Sequence, residues 1–122
     1  MFRRALSLNP INSRTLNNYA VFLQNNGHFD RAQQMFVQGI IADPSNTTLL
    51  SNYAVFLVTK LGDADQAQQM FERAIALEPG NFFILKEYAT FLGTVRQDMD
   101  GAHECLKRAI EAQPNDNNAS NH

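Results

Sequence analysis

The six-residue sequence NYAVFL occurs twice in this chain, at residues 18–23 and again at residues 52–57. A looser copy, EYATFL, occupies residues 87–92, so successive copies are 34 and 35 residues apart. A second word, AQQMF, occurs at residues 32–36 and at residues 67–71. Self-similarity at a fixed spacing of roughly 20–50 residues is the signature of a repeat architecture. The chain is therefore predicted to consist of repeated units.

Four prolines divide the 122 residues at intervals of 34, 35 and 35: Pro10, Pro44, Pro79 and Pro114. They predict three full units, residues 11–44, 45–79 and 80–114. Residues 1–10 align with the end of each later unit and predict a half unit, which leaves an open apolar edge because a repeat buries its face only against its neighbours. The polar stretch 115–122 is expected to be a disordered tail.

Each unit contains the pattern of two helices. In the second unit Leu50, Tyr53, Ala54 and Leu57 recur at i, i+3, i+4 and i+7, which places them on one face of a helix. A second apolar face begins at Ala67, where small side chains allow two helices to approach closely. The pattern predicts an all-α fold of stacked helix pairs.

Residues typical of helix caps and turns support the prediction of helix pairs. An asparagine follows each of the first three prolines by two residues and is expected to cap the next helix: Asn12, Asn46 and Asn81. Gly27 and Gly62 are expected to form the turn within the first two units. The last predicted helix carries polar residues such as His103 and Lys107 at non-core positions, which predicts a polar outer face.

These residues resemble the tetratricopeptide repeat, a family of 34-residue helix pairs. The resemblance implies a right-handed α-solenoid (superhelix) of antiparallel helix pairs. In the second unit the small, bulky and proline positions of that family are occupied by Ala54, Ala67, Phe71, Ala74 and Pro79. The resemblance covers roughly residues 2–114, and it implies a non-enzymatic scaffold for protein–protein interaction that needs no cofactor. The pattern Leu-x-x-Tyr-Ala-x-Phe-Leu, present three times, is also similar to the half-a-TPR repeat, which implies a scaffold in RNA processing as an alternative.

Composition excludes several other functions. The net charge is −2, with 10 basic and 12 acidic residues, which argues against direct binding to nucleic acid. The single cysteine, Cys105, needs no oxidising compartment, and no apolar run is long enough for a membrane span or a signal peptide. A cytoplasmic protein is expected, with the nucleus as an alternative. His28, His103 and Cys105 share no metal-ligand spacing, so neither a metal site nor a catalytic site is predicted.

The concave side of such a stack is lined by the first helix of each unit and is the usual binding surface. Its predicted peptide-binding residues are Arg14, Asn17, Asn18, Val21, Thr48, Ser51, Asn52, Val55, Phe83, Lys86, Glu87 and Thr90. Asn18 and Asn52 occupy the position at which some tetratricopeptide superhelices carry an asparagine ladder. An amide has both donors and an acceptor, so it can bridge a peptide backbone without reading its side chains. The alternative is that these amides are solvated or bond to adjacent helices.

The predicted partner is a protein or a peptide. The carboxylate clamp of chaperone-binding family members requires Lys and Arg at set positions of the groove. Those positions hold Asn17, Val21, Asn52, Phe83 and Glu87 here, so such a clamp is not expected. Self-association through the open N-terminal half unit, as a module of a larger repeat protein, is the alternative role.

Overall fold

The computed structural model describes residues 12–112. These residues form three helix pairs and contain no strand: α1 (Ser13–Asn25) with α2 (Phe29–Ala42), α3 (Thr47–Phe56) with α4 (Ala64–Leu77), and α5 (Phe82–Thr94) with α6 (Met99–Ala112). The predicted all-α fold of helix pairs is confirmed. The predicted half unit 1–10 and the predicted tail 115–122 lie outside the described residues.

Asparagine side chains begin the first helix of each pair. The Oδ1 of Asn46 accepts a hydrogen bond from the backbone N–H of Leu49 at 3.0 Å, and Asn81 does the same for Ile84 at 3.1 Å. Asn12 Oδ1 caps α1 by accepting from the backbone N–H of Arg14, two residues on instead of three, at 2.6 Å. Each amide oxygen pairs with an N–H that the helix itself leaves without a partner, so the three predicted caps are present.

The extra residue of the second and third units is accommodated in two different ways. The first pair turns at Gly27, which has a φ of 83°. In the second unit α3 continues into a π-helical turn, Leu57–Leu61, that ends at Gly62 with a φ of 69°. In the third unit the added residue lengthens the loop after α5, where Gln97 adopts a φ of 56°. Glycine suits the first two turns because it has no Cβ to clash in the left-handed conformation.

Successive helix pairs meet through a cluster of three aromatic rings. At the first junction Phe36 of α2 lies against Tyr53 and Phe56 of α3, with ring centroids 5.3 and 5.2 Å apart. At the second junction Phe71 of α4 lies 5.5 Å from Tyr88 and 5.4 Å from the Phe91 ring of α5. Aromatic pairs at these distances add to the stabilisation from burial. The two junctions therefore repeat one packing arrangement.

The phenol groups of the buried Tyr53 and the half-buried Tyr88 each have a hydrogen-bond partner on the preceding unit. Gln33 Nε2 donates to Tyr53 Oη at 3.2 Å, and Gln68 Nε2 donates to Tyr88 Oη at 3.3 Å. The Tyr88 hydroxyl in turn donates to Glu72 Oε2 at 3.1 Å. Burial and this carboxylate acceptor both favour the neutral phenol, and they raise the pKa of Tyr88 to about 12.

The two ends of the described stack expose the residues that the interior junctions cover. Tyr19 and Phe22 of α1 are 41% and 59% exposed, although the equivalent Tyr53 and Phe56 are buried. We call the Tyr19–Phe22 surface the N-terminal face. No second helix precedes α1 among residues 12–112 to cover it.

The prediction of a polar outer face on α6 is wrong in part. Met99, Leu106 and Ile110 are exposed on this helix and form what we call the C-terminal face. Leu106 occupies the repeat position of Phe36 and Phe71, whose side chains pack against the following first helix. Within the described residues no helix follows α6, so the position is apolar but uncovered.

Candidate functional site

The first helices of the three pairs, α1, α3 and α5, pack side by side and present a continuous surface. Four shallow depressions adjoin one another on it, with volumes of about 320, 280, 200 and 120 Å³. Neighbouring depressions share lining residues, among them Thr48, Asn52, Val55 and Glu87, so they form one surface that we call the groove. Each volume is at or below the lower end of the roughly 300–1,000 Å³ typical of small-molecule pockets. This shape suits an extended chain better than a compact ligand.

The structure brings together all but one of the twelve residues predicted for the concave surface. Lys86 is the exception: its Nζ lies 5.9 Å from the ring centroid of Phe82, and the residue lines none of the four depressions. The residues that do line them are Arg14, Asn17, Asn18, Val21, Thr48, Ser51, Asn52, Val55, Phe83, Glu87 and Thr90.

Sequence reasoning missed several residues of the groove. Val58 and Thr59 line its last depression together with Thr94 and Val95. Val58 and Thr59 belong to the π-helical turn, and a regular 3.6-residue period does not predict where such a turn directs its side chains. Gln24 also lines the groove, and it could have been found because it lies one helical turn after Val21.

The amides in the groove bond to each other across units. Asn52 Nδ2 donates to Asn17 Oδ1 at 3.0 Å, and Asn17 is only 7% exposed. Asn52 therefore bonds to an adjacent helix, which is one of the two predicted alternatives to peptide binding. The bond uses one of the two Asn52 donors and none of its acceptor capacity, and Asn18 is exposed beside it. Both amides retain groups that can bind a ligand.

Charge is sparse in the groove and separated along it. Among the described residues that line the four depressions, Arg14 is the only base and Glu87 the only acid. Arg14 lines the first depression, and Glu87 lines the other three. The ion pair found in the described part of the chain lies elsewhere and joins Arg96 to Asp65 at 2.6 Å.

The described residues offer no assembled metal-binding group. Between residues 12 and 112, three or more His, Cys, Asp or Glu side chains nowhere come together as metal ligands. Cys105 is buried, and burial raises the pKa of its thiol, which disfavours the reactive thiolate. None of the helices in this range has the length and apolar character needed to cross a lipid bilayer.

Comparison with known proteins agrees with this architecture. Models of the tetratricopeptide repeat match residues 1–34 and 49–81, and a model of the TPR repeats of TmcB matches residues 66–119. The chain is a tetratricopeptide-like repeat protein. A search among curated protein sequences gave no significant match.

Solved structures with the same fold include two of MamA and one of RPAP3. The structure "MamA MSR-1 C2" has a TM-score of 0.70 at 21% identity; the match covers 93% of this chain and 64% of that one. A point mutant of MamA has a TM-score of 0.69 at 22% identity, covering 89% and 78%. The second TPR of Spaghetti (RPAP3), bound to the HSP90 peptide SRMEEVD, has a TM-score of 0.70 at 19% identity, covering 82% and 91%. At these identities the likeness concerns the fold alone.

Proposed function

We propose that this protein is a non-enzymatic interaction scaffold that binds an extended peptide or a helix in its groove. The observation that carries the proposal is the continuity of four linked depressions across α1, α3 and α5. Their lining is mostly uncharged, so a ligand would be held by backbone hydrogen bonds and apolar contacts. A buried free thiol at Cys105 fits a reducing compartment, and we propose the cytoplasm or the nucleus as its location.

The RPAP3 neighbour supports a peptide ligand but not the same peptide. Its ligand, SRMEEVD, is acidic toward its C-terminus. Three of the positions at which the resemblance calls for basic clamp residues hold Val21, Phe83 and Glu87 here, and Glu87 lines three of the four depressions. A carboxylate repels an acidic ligand, so SRMEEVD is expected not to bind and serves as a negative control.

The amides of the exposed Asn18 and the half-buried Asn52 are expected to hold the peptide backbone. Replacing both by alanine should weaken binding by at least about fivefold, or ~1 kcal/mol, since that is the typical worth of a hydrogen bond. The probes are 12-residue peptides selected from a random phage-displayed library on the unmodified protein. Fluorescence anisotropy then gives the Kd of each labelled peptide for both proteins.

A matched pair of amides outside the groove provides the control. Gln34 and Gln69 are exposed on the second helices, and replacing both by alanine should leave affinity unchanged. Unchanged affinity of the Asn18→Ala/Asn52→Ala protein would show that these amides do not hold the peptide. Failure to enrich any peptide would count against the proposed function as a whole.

A second candidate function is self-association, which the exposed N-terminal face favours. Its Tyr19 and Phe22 repeat the residues that receive Phe36 and Phe71 at the interior junctions. The C-terminal face presents Leu106 at the position of those phenylalanines. With residues 1–10 displaced from the N-terminal face, a second copy would stack end to end and continue the packing found twice within the chain. The alternative of a half-a-TPR scaffold in RNA processing stays a prediction from the sequence pattern.

End-to-end stacking makes a distinctive prediction because its two faces differ. Phe22→Glu should disable one face and Leu106→Glu the other, so each variant alone should be a monomer. A mixture of the two should form a dimer through the one intact pair of faces, and it should grow no further. Sedimentation velocity measures all three samples; a wild-type protein that stays monomeric at its highest soluble concentration would contradict this role.

A further inference from the structure

The last depression of the groove, between α3 and α5, differs from the other three in its lining. Its floor contains the rings of Phe71 and Phe91, which are 1% and 4% exposed. Its remaining lining consists of three valines, three threonines and one acid. We call it the apolar pocket; besides the two rings it is lined by Val55, Val58, Thr59, Glu87, Thr90, Thr94 and Val95.

The threonine hydroxyls of the apolar pocket are already bonded to their own helices. Thr59 Oγ1 donates to the carbonyl of Val55 at 2.8 Å. Thr90 and Thr94 donate in the same way, at 3.1 and 2.7 Å, each to the carbonyl four residues earlier. With its donor turned back to the backbone, each threonine offers a ligand mainly its methyl group. The pocket is thus more apolar than its composition suggests.

The π-helical turn supplies two residues of this lining. Val58 and Thr59 lie in the turn Leu57–Leu61, which absorbs the residue that the second unit has in excess of the first. Single π turns inside α-helices are frequent at functional sites. In this chain the turn with the inserted residue lies beside the apolar pocket, whose floor is formed by two buried aromatic rings.

Size and charge restrict what the apolar pocket can accept. Its volume is about 120 Å³, less than the roughly 150 Å³ of a dry protein cavity that holds benzene. An aliphatic side chain therefore fits better than an aromatic one. Glu87 is exposed at the edge and makes no ion pair with another described residue, so a cation next to the inserted side chain complements it.

We propose that the apolar pocket is the anchor site of the groove, which takes one aliphatic side chain of a bound peptide next to a lysine or an arginine. This proposal rests on the proposed peptide-binding function and names the ligand class. The aliphatic side chain supplies affinity by burial, and the pairing of its basic neighbour with Glu87 supplies selectivity against acidic peptides.

Selection from a random 12-residue phage library on three full-length proteins tests the proposal. The unmodified protein should enrich Val, Leu or Ile adjacent to Lys or Arg. Glu87→Lys should keep the aliphatic residue and exchange its basic neighbour for Asp or Glu. Thr90→Trp, which fills the pocket from an exposed position, should weaken the wild-type-selected peptides by at least about tenfold, the loss expected when one aliphatic side chain is no longer buried.

Two further variants secure the interpretation. Ala76→Trp places the same indole side chain at an exposed position of α4 outside the groove and should leave affinity within about twofold. Deletion of Lys60 removes the extra residue of the π turn, and it should weaken binding to the same extent as Thr90→Trp while circular dichroism shows an unchanged helix content.

The outcomes separate the anchor site from the groove itself. Enriched peptides without an aliphatic–basic pair overturn the anchor site. The anchor site is also overturned if the selected peptides bind a folded Thr90→Trp protein with undiminished affinity. If those peptides lose affinity for the Asn18→Ala/Asn52→Ala protein, the proposed binding function of the groove stands. If no peptide is enriched on the unmodified protein, both proposals fail.

Discussion

Replacing Tyr53 by alanine is expected to lower the free energy of unfolding by about 3–5 kcal/mol, as for other large aromatic deletions in a core. Tyr53 is 2% exposed, and its ring centroid lies 5.3 Å from that of Phe36 and 6.2 Å from that of Phe56. The substitution also leaves Gln33 without its hydrogen-bond partner. Urea denaturation followed by circular dichroism at 222 nm measures the loss.

The repeat supplies a matched control at Tyr19, which occupies the same position of the first unit. Tyr19 is 41% exposed because no preceding helix covers it among residues 12–112. Tyr19→Ala should therefore cost about 1 kcal/mol or less, as expected for a surface position. A loss below about 1 kcal/mol for Tyr53→Ala would contradict the junction packing described above, whereas equal losses would indicate that the predicted half unit 1–10 covers Tyr19.

Gly39→Ala is expected to destabilise the protein by about 1–2 kcal/mol, although alanine is the better helix former. A Cβ at Gly39 would lie 2.5 Å from Leu49 Cδ2 and 3.5 Å from Leu16 Cβ, at the point where α1, α2 and α3 meet. Both leucines are buried, so the added methyl group forces one of them to move. Gly93→Ala is the control, since its Cβ would make contacts of 3.6 Å or more and should stabilise by about 0.5–1 kcal/mol.

The neighbouring unit indicates how the cost of Gly39→Ala can be relieved. The positions equivalent to Gly39 and Leu49 hold Ala74 and Ile84. Isoleucine carries the same number of carbons but branches closer to the backbone, so it reaches less far. Gly39→Ala combined with Leu49→Ile should return stability to within about 0.5 kcal/mol of the wild type, a coupling that a double-mutant cycle measures directly. If the losses of stability caused by Gly39→Ala and Leu49→Ile simply add, the new Cβ does not clash with Leu49.

Most of the fold could be predicted because each unit repeats the same signals. The spacing of Tyr53 and its equivalents indicated the helical faces, and the asparagine after each proline indicated the caps. The alignment also placed most of the groove, since helix geometry fixes which positions point away from a buried face. These features depend on local sequence and on register alone.

Other features depend on contacts between units, and these could not be read from the pattern. The bond from Asn52 to Asn17 joins side chains 35 residues apart and offset by one repeat position. The π-helical turn is one of two ways to absorb the same extra residue, and the sequence pattern does not indicate which unit uses it. The apolar surface of α6 was missed because Leu106 and Ile110 repeat positions that belong to the apolar helix face in the earlier units, so the pattern placed them in the core.

The most direct test of the peptide-binding groove is an NMR titration of the ¹⁵N-labelled protein with a library-selected peptide. The account predicts that amide shift changes concentrate on α1, α3 and α5, around Asn18, Asn52 and Glu87, and spare the exposed sides of α2, α4 and α6. Shift changes centred on the exposed sides of the second helices, or at the two ends of the stack, would contradict it.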